Sequence, residues 1–183
     1  MIQPLSLLRA ATLTAGLAVP SSAWAVGTED PAPPKPTPTA TCPDGSVWDD
    51  EPGACVPVES GRLDDDALYD AVRELAYLGR RAAAEAALDA MSDQGDTRVL
   101  TYRGFLARKA GDMEAAMAAY RAALAADPNN LLARSYMGMG LASVGRFAEA
   151  EAQLAEIRAR GGAGRRPETA LVEALRVGVG FEY

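Results

Sequence analysis

Histidine is absent from the 183 residues, and the sequence holds only two cysteines. Without histidine the chain lacks the commonest general base and metal ligand, which excludes any Ser-His or Cys-His catalytic pair. The sequence also shows no phosphate-binding loop, no nucleophile beside a base and no cluster of metal ligands. We therefore predict that the protein is not an enzyme and that it uses no metal and no cofactor.

Basic side chains are also scarce, since 18 Lys and Arg stand against 25 Asp and Glu, for a formal net charge of −7. Nucleic acids and anionic lipids attract proteins that cluster Lys and Arg on one surface. The overall charge therefore argues against a nucleic-acid partner.

The first 25 residues have the pattern of a secretory signal peptide. Arg9 supplies a positive charge, an apolar run follows over residues 10–19, and Ala23 and Ala25 form a small-residue cleavage site. The run is shorter than the roughly 20 residues that span a bilayer as a helix, although an uncleaved membrane anchor is an alternative. No second apolar segment follows, so we expect no integral membrane segment after cleavage and predict export to the periplasm of a Gram-negative bacterium.

Residues 26–41 read as a linker, because five prolines lie between Thr28 and Thr41. Such a density of proline prevents a helix and favours the extended polyproline II conformation. We interpret the segment as a semi-rigid spacer. A docking segment for a proline-binding domain is the alternative.

Residues 42–55 are predicted to form a disulfide loop. Cys42 and Cys55 are the only cysteines, and an exported chain meets an oxidising compartment in which such a pair forms a disulfide. Closing a ring of this length stabilises the folded state by roughly 3 kcal/mol in chain-entropy terms. Val47 and Trp48 are its only bulky apolar side chains, so the ring is expected to be structural, with Trp48 packed on the helical body or on a partner.

The character of the chain changes at Leu63, where apolar side chains begin to recur at helical spacing, as at Leu68, Val72 and Leu75. Glycine and proline interrupt the pattern and divide it into six short amphipathic helices. The breaks lie near Gly79, Gln94-Gly95, Gly111, Asp127-Pro128, Gly145 and Gly161-Gly162. A seventh helix follows, with Pro167 at its start and Leu171 and Ala174 on its apolar face. We predict a helical domain over residues 63–178.

These breaks are periodic. Gly111 and Gly145 lie 34 residues apart, as do Gly104 and Gly138, while Gly79 and Gly111 lie 32 apart. A fixed period near 34 with two helices per unit is the signature of a tetratricopeptide array.

The middle unit, residues 97–130, carries the motif best. Its motif positions hold Leu100, Gly104, Ala107, Gly111, Ala116, Tyr120, Ala123 and Pro128. This pattern resembles the tetratricopeptide repeat family, with departures at Leu100, Arg103 and Ala107, where the family usually has Trp, Leu and Tyr. The third unit lacks the closing proline, and the first has Val72 in place of the small glycine.

The resemblance covers residues 65 to 160 and implies an all-α fold, a helix-turn-helix solenoid of about three repeats closed by a C-terminal cap helix. Each unit of such a stack leaves an apolar face open, so that neighbours and a cap must cover it. Residues 179–183 form a short tail, which we expect to lie on the cap helix. Addition as a strand to a partner's sheet is the alternative.

The resemblance also implies a function, since repeat stacks of this family hold partner segments on a concave face lined by the first helix of each unit. We predict a periplasmic scaffold that binds an acidic or C-terminal segment of a protein partner through basic and apolar side chains. Among the residues that family position places on this face, we assign partner binding to Tyr69, Arg73, Arg98, Phe105, Arg108, Lys109 and Met139. The alternative is that these are ordinary solvated helix residues.

A different class of function uses the other end of the chain. In that alternative the protein is a structural accessory of the envelope that contacts peptidoglycan or the outer membrane through the proline-rich and disulfide region. The helices would then only support the contact.

Overall fold

The computed structural model describes residues 38–178 of the chain. The predicted signal peptide 1–25, most of the linker 26–41 and the tail 179–183 lie outside the described residues. Strands β1 (Ser46–Asp49) and β2 (Ala54–Pro57) form an antiparallel hairpin between two short 3-10 turns, Pro38–Thr41 and Val58–Ser60. The helices are α1 (Asp65–Tyr77), α2 (Arg81–Ala90), α3 (Thr97–Lys109), α4 (Met113–Ala126), α5 (Leu131–Ser143), α6 (Phe147–Ala159) and α7 (Arg166–Val177).

Four helices begin at a side chain that caps their free backbone N–H groups. Asp64 accepts a hydrogen bond from Ala67 N, and Asp96, Asp112 and Asn130 make the corresponding contacts for α3, α4 and α5. Such N-caps typically stabilise a helix by about 1 kcal/mol each. Local sequence therefore fixes where these helices start.

The helices end at the predicted breaks. Gly111, for example, has a φ of 83° in the turn between α3 and α4, a conformation that glycine adopts without steric cost. The prediction of a mainly helical protein is confirmed. The tetratricopeptide arrangement of these helices stays a prediction.

Consecutive helices pack in pairs, α1 with α2, α3 with α4, and α5 with α6. The first helices of the pairs also contact one another, α1 with α3 and α3 with α5, while α7 packs on α5 and α6. One apolar core runs through all the pairs, and its largest fully buried side chains include Tyr102, Tyr120, Tyr136, Phe105 and Met139. No helix within residues 38–178 is both long enough and apolar enough to cross a membrane.

Two glycines let neighbouring helices pack closely. A Cβ on Gly104 of α3 would come within 2.5 Å of the Tyr120 ring of α4, and one on Gly138 of α5 would come within 2.6 Å of the Leu171 side chain of α7. Tyr120 and Leu171 thus occupy the space that the missing side chains leave. Gly104 and Gly138 occupy the same position of the repeat. At Gly104 the missing side chain lets α4 pack closely on α3, and at Gly138 it lets α7 pack closely on α5.

The predicted disulfide between Cys42 and Cys55 is present. The ring contains strand β1 and the start of β2, which pair with Val47 opposite Val56 and Trp48 opposite Cys55, so the segment is a hairpin and not a simple loop. The hairpin also joins the body of the protein, since Val47 is 1% exposed and belongs to the same core as the helices. Trp48 is half-buried, and its indole N–H donates to Asp50 Oδ1 within the hairpin at 2.8 Å.

Candidate functional site

The seven side chains that family position assigns to partner binding fall into three groups by exposure. Arg73, Phe105 and Met139 are buried, at 6%, 1% and 0% exposed. Tyr69, Arg98 and Arg108 are half-buried, and Lys109 alone is exposed. The expectation that Phe105 and Met139 offer apolar contact to a partner is therefore not met in this structure, because both side chains pack in the core.

Aromatic side chains fill the space where the first helices of successive pairs meet. The Tyr69 ring meets the Tyr102 ring edge to face at 5.6 Å, and Tyr102 meets Tyr136 in the same way at 6.2 Å. Phe105 lies 5.1 Å from Tyr136, whose hydroxyl is hydrogen-bonded to that of Tyr77 at 2.9 Å. These rings join α1, α3 and α5 through contacts that are favourable beyond simple area burial.

The family pattern does not assign Tyr102 or Tyr136 to partner binding. They nevertheless lie 34 residues apart, one full period of the repeat. That spacing was the signal in the sequence that could have placed them in equivalent positions on neighbouring helices.

Arg98 is held by two carboxylates of the chain itself. It donates to Asp66 Oδ1 at 2.7 Å and to Asp96 Oδ2 at 2.8 Å, which ties the start of α3 to the start of α1. Its guanidinium also lies 5.2 Å from the centre of the Tyr69 ring, within reach of a cation–π contact. Hydrogen bonds to Asp96 first, and then to Asp66, raise the pKa of Arg98 against the opposing effect of partial burial.

The three aspartates that open α1 have separate roles. Asp64 caps the helix, Asp65 accepts hydrogen bonds from the backbone and hydroxyl of Ser92, and Asp66 pairs with Arg98. The bonds from Ser92, the hydroxyl first, lower the pKa of Asp65. These acids therefore cap α1 and join its start to Ser92 and to Arg98, and they do not form a paired acid–base arrangement.

Arg108, ten residues further along α3, is in a different electrostatic setting. In the described part of the chain its Nε and Nη2 atoms are buried without a hydrogen-bond partner, and no acidic side chain pairs with it. Its guanidinium lies 5.5 Å from the centre of the Phe105 ring, and its stem passes close to Gly140 of α5. The next residue, Lys109, is exposed and has no acidic partner within residues 38–178 either.

Tyr120 of α4 adds a hydroxyl to the same neighbourhood. Its OH is buried and, within the described residues, has no hydrogen-bond partner. Burial raises the pKa of Tyr120 to about 12, while the charge of Arg108 and the approach of its guanidinium to the hydroxyl act in the opposite direction. The end of α3 thus brings together donors of hydrogen bonds and a positive charge with no anion to balance them.

Nothing in the described residues has the arrangement of a metal centre, since no group of three or more His, Cys, Asp or Glu side chains is placed to hold an ion. Two acids of the hairpin form ion pairs with arginines: Asp44 with Arg80 at 2.6 Å and Asp49 with Arg62 at 3.5 Å. Comparison of the chain with family models, with curated proteins and with solved structures finds no match.

Proposed function

We propose that the protein is a protein-interaction module of the cell envelope that binds an acidic or C-terminal segment of a partner at the end of α3, on the face formed by the first helices. The observation that carries this proposal is the guanidinium of Arg108, which is partly buried and has no acidic partner in the described residues. We interpret the helix pairs as a tetratricopeptide-like stack, which the pairwise packing and the period of about 34 residues support.

A carboxylate is the ligand that would balance this charge. A partly buried cation without a counter-ion is destabilising, because the charge has lost water and gained no compensating hydrogen bonds. A carboxylate accepts two parallel hydrogen bonds from one guanidinium, which no neutral acceptor does as strongly. Lys109 adds a second positive charge at the surface, where it would attract an acidic segment before contact.

Arg98 and Arg73 have a smaller part in this proposal than the family pattern assigns to them. Arg98 already donates to Asp66 and Asp96, so a partner's carboxylate would have to compete with two carboxylates of the chain. Arg73 is buried and pairs with Asp70 at 3.3 Å. The anchor of the binding surface is therefore Arg108 with Lys109.

The location in the envelope rests on the signal-peptide pattern of residues 1–25. Contact with peptidoglycan or the outer membrane through the hairpin gains no support from a specific contact, since Val47 of the hairpin and Val58 of the turn after it are buried in the helical core. Partner binding by the helices is the function that the geometry favours.

The test compares two double variants that remove the same charge. Arg108→Met with Lys109→Gln removes the proposed anchor and keeps most of the Arg108 stem. Arg121→Gln with Arg166→Gln removes two cations elsewhere, neither of which forms a salt bridge among the described residues. Binding is measured as the fluorescence polarisation of a labelled Glu-rich decapeptide with a free C-terminus, and as recovery of co-purified envelope proteins.

The anchor variant should weaken binding of the peptide roughly 10- to 100-fold, since a charge-assisted hydrogen bond contributes about 1.5–3 kcal/mol. The control variant should change it less than threefold. Equal weakening in both variants would show only a general charge effect, and unchanged binding in the anchor variant would exclude this site.

A further inference from the structure

The hairpin is seated on the end of the helical body and is not a free appendage. The turn Pro38–Thr41 and strand β1 contact α1, and the turn Val58–Ser60 contacts α2. Val47 and Val58, at 1% and 6% exposed, are the apolar side chains that enter the core there. Val58 lines a cavity of about 300 Å³ together with Leu68 of α1 and Ala86 of α2.

One arginine fastens the seated hairpin to the helices. Arg80, in the turn between α1 and α2, donates from Nη2 to the Cys42 carbonyl at 2.8 Å and to Asp44 Oδ1 at 2.6 Å. Its Nη1 donates to the Thr39 carbonyl at 3.4 Å. The Thr39 hydroxyl in turn accepts a hydrogen bond from Trp48 N at 3.0 Å. Arg80 therefore holds the main chain at one of the two cysteines.

The shape that Arg80 holds depends on the disulfide. Each strand has only four residues, and an isolated two-stranded hairpin of that size is marginally stable in water. Cys42 precedes β1 and Cys55 lies in β2 opposite Trp48, so the bond between them sets the distance across the hairpin. Without the bond, the few contacts on α1 and α2 would have to order the whole segment against its conformational entropy.

We propose that the Cys42–Cys55 disulfide is a redox latch that decides whether the hairpin stays seated on α1 and α2. A dithiol reductant opens it: the sulfur–sulfur bond breaks, each cysteine gains one hydrogen, and the dithiol becomes a disulfide. The hairpin then leaves its seat, and the apolar surface of α1 and α2 that Val47 and Val58 cover is exposed to solvent. This device is independent of the carboxylate site at the end of α3.

Amide hydrogen exchange on the full chain tests the latch, with dithiothreitol as the reductant and alkylation to count the thiols. The reporters are the amides of Trp48 and Val58, which donate to Thr39 Oγ1 and to the Gly45 carbonyl at 3.0 Å each. On reduction both should exchange at least 100-fold faster, while amides in the centres of α3 to α6 should change less than threefold.

Two outcomes would overturn the latch. Protection of both reporter amides in the reduced protein to within threefold would show that the hairpin stays seated without its disulfide. Equal acceleration in α3 to α6 would show that the disulfide stabilises the whole molecule and controls no separate part.

A variant that keeps the disulfide gives a second measurement. Arg80→Gln removes the ion pair and the forked hydrogen bonds, and should speed exchange at Trp48 and Val58 about tenfold in the oxidised protein. The matched control is Arg81→Gln. Among the described residues Arg81 forms an ion pair with Glu85 alone, at 2.9 Å, so this variant should leave both amides unchanged. Equal exchange rates at Trp48 and Val58 in the two variants would show that Arg80 does not hold the hairpin on the helices.

Discussion

The two ends of the helical body are closed in different ways. At the C-terminal end, α7 packs on α5 and α6, Leu171 fills the space beside Gly138, and the buried Ser135 hydroxyl donates to the Pro167 carbonyl at 2.8 Å. At the N-terminal end, a small hairpin covers α1 and α2 with Val47 and Val58, and a disulfide and one arginine hold it in place.

The difference shows two solutions to one physical problem. Each helix pair leaves an apolar face that water would meet if no other element covered it. A helix can cover such a face because its own backbone hydrogen bonds form locally, and its apolar stripe follows the period of the sequence. The hairpin has too small a core to fold by itself, so a covalent bond supplies the order that local propensity does not.

The largest effect should come from the C-terminal closure. Leu171→Ala removes a fully buried side chain from the interface of α7 with α5, and should lower the free energy of unfolding by about 3 kcal/mol. Chemical denaturation of the oxidised protein measures it. Val172→Ala, one position along and 39% exposed, should change stability far less. Equal losses in the two variants would mean that α7 does not close the body through its Leu171 face.

A smaller effect is expected at the N-terminal closure. Val47→Ala removes two buried methyl groups and should lower the free energy of unfolding of the oxidised protein by about 2 kcal/mol, from transfer and cavity terms together. The control is Val56→Ala, since Val56 lies opposite Val47 in the hairpin but is only half-buried. If Val47→Ala lowers the free energy of unfolding no more than Val56→Ala does, the hairpin does not unfold together with the helical core. The N-terminal closure would then contribute less to stability than the burial of Val47 indicates.

The helices and the disulfide could be predicted from the sequence because short stretches of sequence indicate both. Gly111, Gly145 and Pro128 interrupt a helical period in ways that depend on backbone conformation alone. Cys42 and Cys55 are the only cysteines, so their pairing needed no choice among alternatives. The confirmed parts of the prediction are those that neighbouring residues determine.

The sequence did not predict contacts between residues that are far apart in the chain. Nothing in the residues near Val47 indicates that it packs on α1, because that contact depends on how residues far apart in the chain fold together. The burial of Phe105 depends on Tyr136, 31 positions away, whose ring lies beside it. The family pattern assigns Arg98 to the binding of an acidic partner segment. Only the placement of α1 beside α3 shows that Asp66 already forms an ion pair with it.

The smallest effect concerns pH and the start of α7. Glu168 accepts hydrogen bonds from Arg158 Nε at 2.5 Å and from Gly164 N at 2.6 Å, and these bonds, that of Arg158 first, lower the pKa of Glu168. A carboxylate with a lowered pKa in the folded state stabilises it fully above its unfolded pKa of about 4.3. That contribution is lost as the pH falls through the folded value.

Glu168→Gln should therefore lower the melting temperature at pH 6, and the difference from the parent protein should shrink steadily as the pH falls from 5 to 3. Solvent screens the ion pair at Arg158, whose side chain is 54% exposed, so the shift should be smaller than the effects of Leu171→Ala and Val47→Ala. Glu151→Gln, which removes an exposed carboxylate of α6 with no ion pair among the described residues, should give a difference that does not narrow in this way. A constant difference for Glu168→Gln across this range would mean that the Arg158 and Gly164 contacts do not hold the C-terminal closure, and that the packing of Leu171 alone secures it.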